Sequence, residues 1–268
     1  MNAENPIGVF DSGIGGLTVA HAISQSLPNE KIIYFGDTQH LPYGNKSSSK
    51  IIYYSEKIAD FLLSKDCKAI IIACNSASSI AFDNLQKKTD KKCLLFNVIE
   101  PAIGSVVNNP LIKHVGVIGT NATISSSIYE RLILAERSDI TVSSLATPLL
   151  ASLIEENNND LYKKGIIESY LKNKKLKNID SLILGCTHYP LIKSYIDNHY
   201  KKGVKIISAL KNIGSIIKKE LEHNGLLNLA DSMGKHHFYV SDYTTHFQQK
   251  TKIFFPAGII LEEENIFS

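Results

Sequence analysis

Cysteine is scarce in this 268-residue chain: there are four, Cys67, Cys74, Cys93 and Cys186, and no two of them form a CxxC pair. That spacing disfavours a zinc ribbon or a thioredoxin-type redox motif. Long apolar runs are lacking as well, because the strongest one, 69–74, is far too short to cross a bilayer. Residues 1–10 show no basic stretch leading into an apolar one, so no secretory signal is expected. No run of Lys and Arg exceeds two residues, and 29 of them stand against 26 Asp and Glu for a net charge of +3. A nucleic-acid footprint is therefore not expected. Together these absences predict a cytoplasmic protein with reduced thiols and neither membrane nor nucleic-acid partners.

What the chain does have is globular composition, 44% hydrophobic and 21% charged. Its length suits one large or two small domains at ~150 residues each. Short β-branched runs alternate with segments of helical period, the mark of an α/β fold with mostly parallel sheets. Strands are predicted over 7–10, 31–35, 69–73, 94–98, 115–118, 140–143, 181–185 and 204–207. Ile51, Ser55, Ile58 and Leu62 predict a helix over 47–64, and Ile124, Ile128 and Leu132 predict another. Thr147-Pro148 reads as N-cap and N1 of a helix carrying Leu149, Leu150, Leu153 and Ile154. Ile213, Ile216, Ile217 and Leu221 stripe a late helix that should stop near Gly225.

Two stretches of the chain repeat. Ile7-Gly8-Val9-Phe10 is similar to Val115-Gly116-Val117-Ile118, and Ile71-Ile72-Ala73-Cys74-Asn75-Ser76 to Leu182-Ile183-Leu184-Gly185-Cys186-Thr187. Buried strands look alike everywhere, so the glycine pair alone carries little. The cysteine pair carries more, since polar neighbours match along with apolar ones. Similar offsets suggest two α/β halves on one plan.

Cys74 and Cys186 each fall at the carboxyl end of an apolar strand and just before an expected helix start. Ligands bind in that crevice of open α/β sheets, and nearby helix N–H groups favour a thiolate. Asn75 and Ser76 follow one cysteine, Thr187 and His188 the other, offering donors for a carboxylate or phosphate. Cysteine is often only a small buried hydrophobe; that reading suits Cys67 and Cys93, which lack such neighbours. A zinc site joining Cys74, Cys186 and His188 has no chelate spacing to support it. Two thiols across a cleft suit inversion of a carbon centre, which needs a proton removed on one face and returned on the other. Asp11 could assist Cys74, and His188 could assist Cys186.

Asp11-Ser12-Gly13-Ile14-Gly15-Gly16 leads from a strand to a helix as an anion loop would, but it is neither GxGxxG nor a Walker loop, and a tight turn would explain it equally well. Asp37 with Pro42-Tyr43-Gly44 forms a second loop in which Tyr43 offers a hydroxyl. Glu155-Glu156 read on their own as solvated surface. Adjacent His236-His237 would point to opposite faces of a strand, which speaks against a metal pair. No lysine stands where a pyridoxal-phosphate Schiff base would need one.

The set Phe10-Asp11-Ser12-Gly13-x-Gly15-Gly16, Gly36-Asp37-Thr38…Pro42-Tyr43-Gly44, Ala73-Cys74-Asn75-Ser76-Ala77-Ser78 and Leu184-Gly185-Cys186-Thr187-His188-Tyr189-Pro190 resembles the bacterial glutamate racemases. Val98-Ile99-Glu100-Pro101, Gly119-Thr120-x-Ala122-Thr123 and Phe254-Phe255-Pro256-Ala257-Gly258 extend the resemblance over nearly the whole chain. It implies a cofactor-independent, metal-free racemase of L- and D-glutamate that supplies D-glutamate for peptidoglycan. It also implies two pseudo-symmetric α/β domains, 1–97 plus 209–268 and 98–208, with the active site in the cleft between them, and a homodimer. By the same resemblance, Cys74 exchanges the proton of the D-enantiomer and Cys186 that of the L-enantiomer. Asp11, His188 and Glu155 assist, while Ser12, Pro42, Tyr43, Gly44, Asn75, Ser76, Thr120, Thr123 and Thr187 contact substrate.

The chain departs from that pattern in places. Ser76 replaces threonine, Gln39-His40 replace Ala-Arg, Ala102 replaces glycine, and Ile207-Ser208-Ala209 lacks an aspartate. A racemase of another acidic amino acid, such as aspartate, is the alternative within the same two-thiol plan. A Cys-His hydrolase would leave the second strand-end cysteine unexplained. A mere amino-acid-binding protein would have no need of either.

Overall fold

The computed structural model describes residues 1–156, 160–230, 236–256 and 258–267; Ala257 of the C-terminal motif lies outside them. The first sheet contains β1 (Ile7–Asp11), β2 (Ile32–Gly36), β3 (Ala69–Ile72), β4 (Leu94–Asn97), β9 (His237–Val240) and β10 (Ile260–Glu263). The second contains β5 (His114–Gly119), β6 (Thr141–Ala146), β7 (Ser181–Gly185) and β8 (Lys205–Ile207). Every pairing among these strands is parallel. The strand orders are β10-β9-β2-β1-β3-β4 and β6-β5-β7-β8. Stripped of β9 and β10, the first sheet therefore follows the same order as the second: second strand, first, third, fourth. Two α/β halves on one plan follow directly.

Both faces of the central strands are covered, which is why β1, β2, β3, β5 and β7 read as near-continuous apolar runs. In β1, Ile7 and Val9 face α1 (Leu17–Ser26) and the late helices, while Phe10 faces α2 (Ser48–Ser64) and α3 (Asn75–Thr89). In the second sheet, Val115 and Val117 face α4 (Glu100–Val107) and α6 (Ile128–Glu136), while Leu182 and Leu184 face α7 (Leu150–Glu155), α8 (Asp160–Leu171) and α9 (Lys193–His199). Cys67 and Cys93 are packing residues in the core between the first sheet and α2–α3. At the amino end of β3, Lys68 and Glu30 form a fully buried ion pair, Nζ to Oε2 2.6 Å, and Lys68 also donates to the Ala3 carbonyl. No described helix is long and apolar enough to cross a membrane.

Several expectations need correction. The stripe Ile124, Ile128, Leu132 spans two helices, α5 (Asn121–Ser125) and α6, because Ser126 bonds the Thr123 carbonyl and accepts from the Ile128 N–H, and Ser127 turns left-handed at φ 52°. Thr147 is not an N-cap: α7 starts at Leu150, and the Thr147 hydroxyl serves the Gly119 carbonyl and Tyr189 Oη instead. β6 begins one residue later than predicted and runs to Ala146. The strands β9 and β10 escaped the sequence reading, as did α11 (Thr245–Phe254). By contrast, α2 occupies 48–64, and α10 (Ile213–His223) ends two residues before Gly225, whose φ of 65° suits only glycine without strain.

Candidate active site

The carboxyl ends of β1 and β3 meet those of β5 and β7 in one cleft. Its walls include Ser12, Pro42, Tyr43, Gly44, Cys74, Asn75, Ser76, Thr120, Glu155, Cys186, Thr187 and His188. Both cysteines follow the third strand of their half, so the matching strand order carries one thiol to each side.

Cys74 precedes α3 and is 5% exposed. Its Sγ lies 3.6 Å from Ser12 Oγ and accepts from the Ala77 backbone N–H. Burial pushes the thiol up to about 12, and the Asp11 charge adds to that, against the smaller help of the hydrogen bonds with Ala77 and Ser12. Cys186 is followed by a 3₁₀ turn, Tyr189–Ile192, rather than by the α-helix expected there. What stands beside it is an imidazole: His188 Nδ1 is 3.6 Å from Cys186 Sγ, and His188 Nε2 is 2.6 Å from Glu155 Oε1. Burial pulls the His188 pKa down, but the hydrogen bonds to Cys186 and Glu155 and their charges outweigh it, leaving His188 well above the ordinary histidine value. Glu155 is thus not the plain solvated residue its Glu-Glu context suggests, since α7 turns it inward onto His188.

Asp11 is fully buried behind the glycine loop rather than on the cleft wall. Burial raises its pKa, partly offset by His188 and by the backbone N–H groups of Gly16 and Gly13, the latter at 3.0 Å. Thr187 Oγ1 reaches Asp11 Oδ1 at 3.5 Å. The glycines of this loop are there for close approach. A Cβ on Gly15 would sit 2.3 Å from Thr187 Oγ1 and 2.5 Å from His188 Cε1, and one on Gly16 2.3 Å from Asp11 Cβ. Gly44 does the same for the second loop, where a Cβ would come 2.5 Å from Thr120 Cβ.

The two halves are also tied by polar contacts at the cleft. Ser76 Oγ is 2.8 Å from Thr120 Oγ1, and Asn75 Nδ2 donates to Tyr129 Oη at 2.8 Å. Thr18 Oγ1 donates to the Thr187 carbonyl at 3.2 Å. Thr123 lies behind the wall and steadies Thr120, to whose Oγ1 it gives its N–H at 3.3 Å. The Tyr43 hydroxyl is not free for a ligand, since it donates to Asp37 Oδ2 at 2.6 Å. Tyr129 and Thr18 escaped the sequence reading because each acts through tertiary placement, whereas Leu41, which also lines the cleft, stands directly before the Pro42-Tyr43-Gly44 motif. Among the described residues, no group of three or more His, Cys, Asp or Glu side chains is arranged to hold a metal ion. The arrangement offers one thiol on each side, hydroxyl and amide donors between them, and an imidazole–carboxylate pair behind one thiol. This is equipment for moving a proton and gripping a small anion.

The family model for Asp/Glu/hydantoin racemases matches residues 8–211. A glutamate racemase of Neisseria meningitidis serogroup C is 38% identical over 250 residues, 92% of each chain. Among solved structures, glutamate racemase from Francisella tularensis in complex with D-glutamate superposes with a TM-score of 0.88 at 38% identity, covering 98% of this chain and 97% of that one. A glutamate racemase isoform from Bacillus anthracis gives 0.91 at 33% identity, covering 98% of both.

Proposed function

Because the chain belongs to the Asp/Glu/hydantoin racemase family, we propose that it interconverts L- and D-glutamate by proton transfer between two cysteines. It is an isomerase, and its relatives along nearly the full length are glutamate racemases. The observation that carries the mechanism is the placing of Cys74 and Cys186 at equivalent strand ends of equivalent halves, lining one cleft.

In the L-to-D direction the Cys186 thiolate takes the α-proton, and the Cys74 thiol returns its own to the opposite face. One S–H bond forms as the other breaks, and the roles swap in reverse. His188, held by Glu155, takes the proton of Cys186 to form the thiolate. After the transfer Cys186 carries the α-proton, and exchange with solvent removes the extra proton from His188 and reprotonates Cys74, which restores both thiols. On the other side the Asp11 charge opposes a Cys74 thiolate while the cleft is empty, and the substrate ammonium supplies the balancing positive charge. Ser12, Asn75, Ser76, Thr120 and Thr187 offer hydroxyl, amide and backbone donors for the two substrate carboxylates. The D-glutamate formed supplies peptidoglycan synthesis.

The test is incubation of the purified protein with either enantiomer in D₂O, without added cofactor, following α-deuterium by NMR and ellipticity by circular dichroism. Deuterium gain with loss of ellipticity is expected for glutamate. Exchange of aspartate but not glutamate would overturn the substrate, and no exchange by folded protein would overturn the reaction. Cys74→Ala and Cys186→Ala should each reduce racemisation at least ~10³-fold, and normal turnover in either would sink the two-base assignment.

A further inference from the structure

Asp37 is a carboxylate with no exposure to solvent, and the reaction proposed above does not use it. It follows β2 and opens the loop that forms one wall of the cleft. Three side chains close around it. Tyr43 Oη donates to Oδ2 at 2.6 Å, Ser241 Oγ donates to Oδ1 at 2.8 Å, and His40 Nδ1 lies 2.9 Å from Oδ1 and 3.2 Å from Oδ2. A buried carboxylate is tolerated only when its lone pairs are satisfied in this way, and loss of a donor leaves it exposed to the full desolvation penalty.

The donors come from two segments far apart in the chain. Tyr43 and His40 belong to the loop, whereas Ser241 follows β9. A second clasp joins the same segments: Thr38 Oγ1 donates to the Asp242 carbonyl at 2.6 Å and accepts from the Asp242 N–H at 3.0 Å. His40 is itself fixed, stacked on Tyr54 at 4.1 Å between ring centroids and meeting the edge of Phe267 at 4.6 Å.

On its other side the loop meets the chemistry. Leu41, Pro42, Tyr43 and Gly44 line the cleft with Cys74. Gly44 rests on Thr120, whose hydroxyl is 2.8 Å from Ser76 Oγ. The seat of the loop therefore sets the wall beside Cys74 and the contact between the halves.

We propose that Asp37 and His40 form a positioning pair: Asp37 clamps the 41–44 wall onto the end of β9, and His40 locks the clamp. The pair touches no reacting atom and acts through Tyr43. Its effect on turnover rests on the racemase reading, but the clamp can be read without any substrate.

Asp37→Asn keeps the shape and turns one acceptor into an amide facing donors. Iodoacetamide labelling with peptide mass spectrometry should show Cys74 reacting about five-fold faster, as expected when supporting contacts are lost. Cys67 and Cys93, buried in the same half, should keep their wild-type rates. The KM for glutamate should rise about ten-fold with kcat within about three-fold, the pattern of lost binding rather than lost chemistry. His40→Leu should move both readouts the same way, and His40→Asn, which restores an N–H donor, should return them toward wild type. Unchanged Cys74 labelling and KM in Asp37→Asn would overturn the proposal. Faster labelling at all three cysteines would overturn it too, by showing general loosening. If the wild-type protein fails to act on glutamate, the racemase reading falls while the labelling pattern still decides the clamp.

Discussion

Glu155 Oε1 sits 2.6 Å from His188 Nε2 and so holds an imidazole whose other nitrogen faces Cys186. The carboxylate is one of the groups that lift His188 above the ordinary histidine value, so Glu155→Gln should lower the His188 pKa. The alkaline limb of the pH–rate profile should move to lower pH, and kcat/KM should fall by ~10²-fold. Because enantiomers have equal free energy, the fall must be the same in both directions. A raised folded-state pKa stabilises most below the unfolded value and is lost as pH rises through the folded one. The thermal-stability advantage of wild type over Glu155→Gln should thus be full near about pH 6 and shrink on alkaline titration.

Asp11 and Cys74 give the opposite sign. The buried carboxylate is part of what raises the thiol to about 12. Asp11→Asn should therefore make Cys74 more reactive to iodoacetamide at pH 8, by several-fold, while racemisation falls. Equal or slower labelling would show that burial alone sets the thiol.

Gly15→Ala would drive a methyl group into Thr187 and His188. Overpacking of this kind costs about 1–3 kcal/mol, visible as a lower midpoint in urea. The loss of activity should exceed that cost, because the displaced group is the imidazole behind Cys186. Gly165→Ala, inside α8 where nothing lies within 4 Å of the added carbon, is the control. It should keep wild-type activity with a urea midpoint equal or higher, by up to about 1 kcal/mol of helix propensity.

Lys68→Met breaks the buried pair with Glu30 and leaves a carboxylate without its counter-charge. The cost should be ~3–5 kcal/mol, or a Tm lower by on the order of 10 °C. Lys68→Met combined with Glu30→Met should recover much of it. Folded variants should keep wild-type kcat, since the pair lies at the amino end of β3 and Cys74 beyond its carboxyl end.

Much of this architecture was legible in the residues. The central strands β1, β2, β3, β5 and β7 are buried on both faces and make near-continuous apolar runs. Strands β4, β6 and β8 are shorter or less buried and show through their β-branched and apolar residues. The matched polar context singles out Cys74 and Cys186. What escaped has physical causes. Strand β9 offers only the three buried apolar residues Phe238, Tyr239 and Val240 between polar neighbours, and β10 is an exposed edge whose Glu262 and Glu263 break any apolar run. The Ile124–Leu132 stripe hides a break because the Ser126 hydroxyl satisfies backbone groups of Thr123 and Ile128 while Ser127 turns left-handed. Glu155 and Asp37 looked like surface and loop residues, since a polar side chain gains meaning only from partners 33 and 204 residues away, His188 and Ser241. The glycine loop read as an anion cradle, yet Gly15 is required by the neighbouring half pressing upon it.

Two mirror-image molecules are equally stable, so the proposed reaction has no downhill side, and a catalyst gains nothing from preferring one of them. A cleft assembled twice from the same plan, with the same acid–base group delivered from each half, suits that thermodynamic symmetry. The direction of net flow is then decided outside the protein, by whichever step removes one enantiomer.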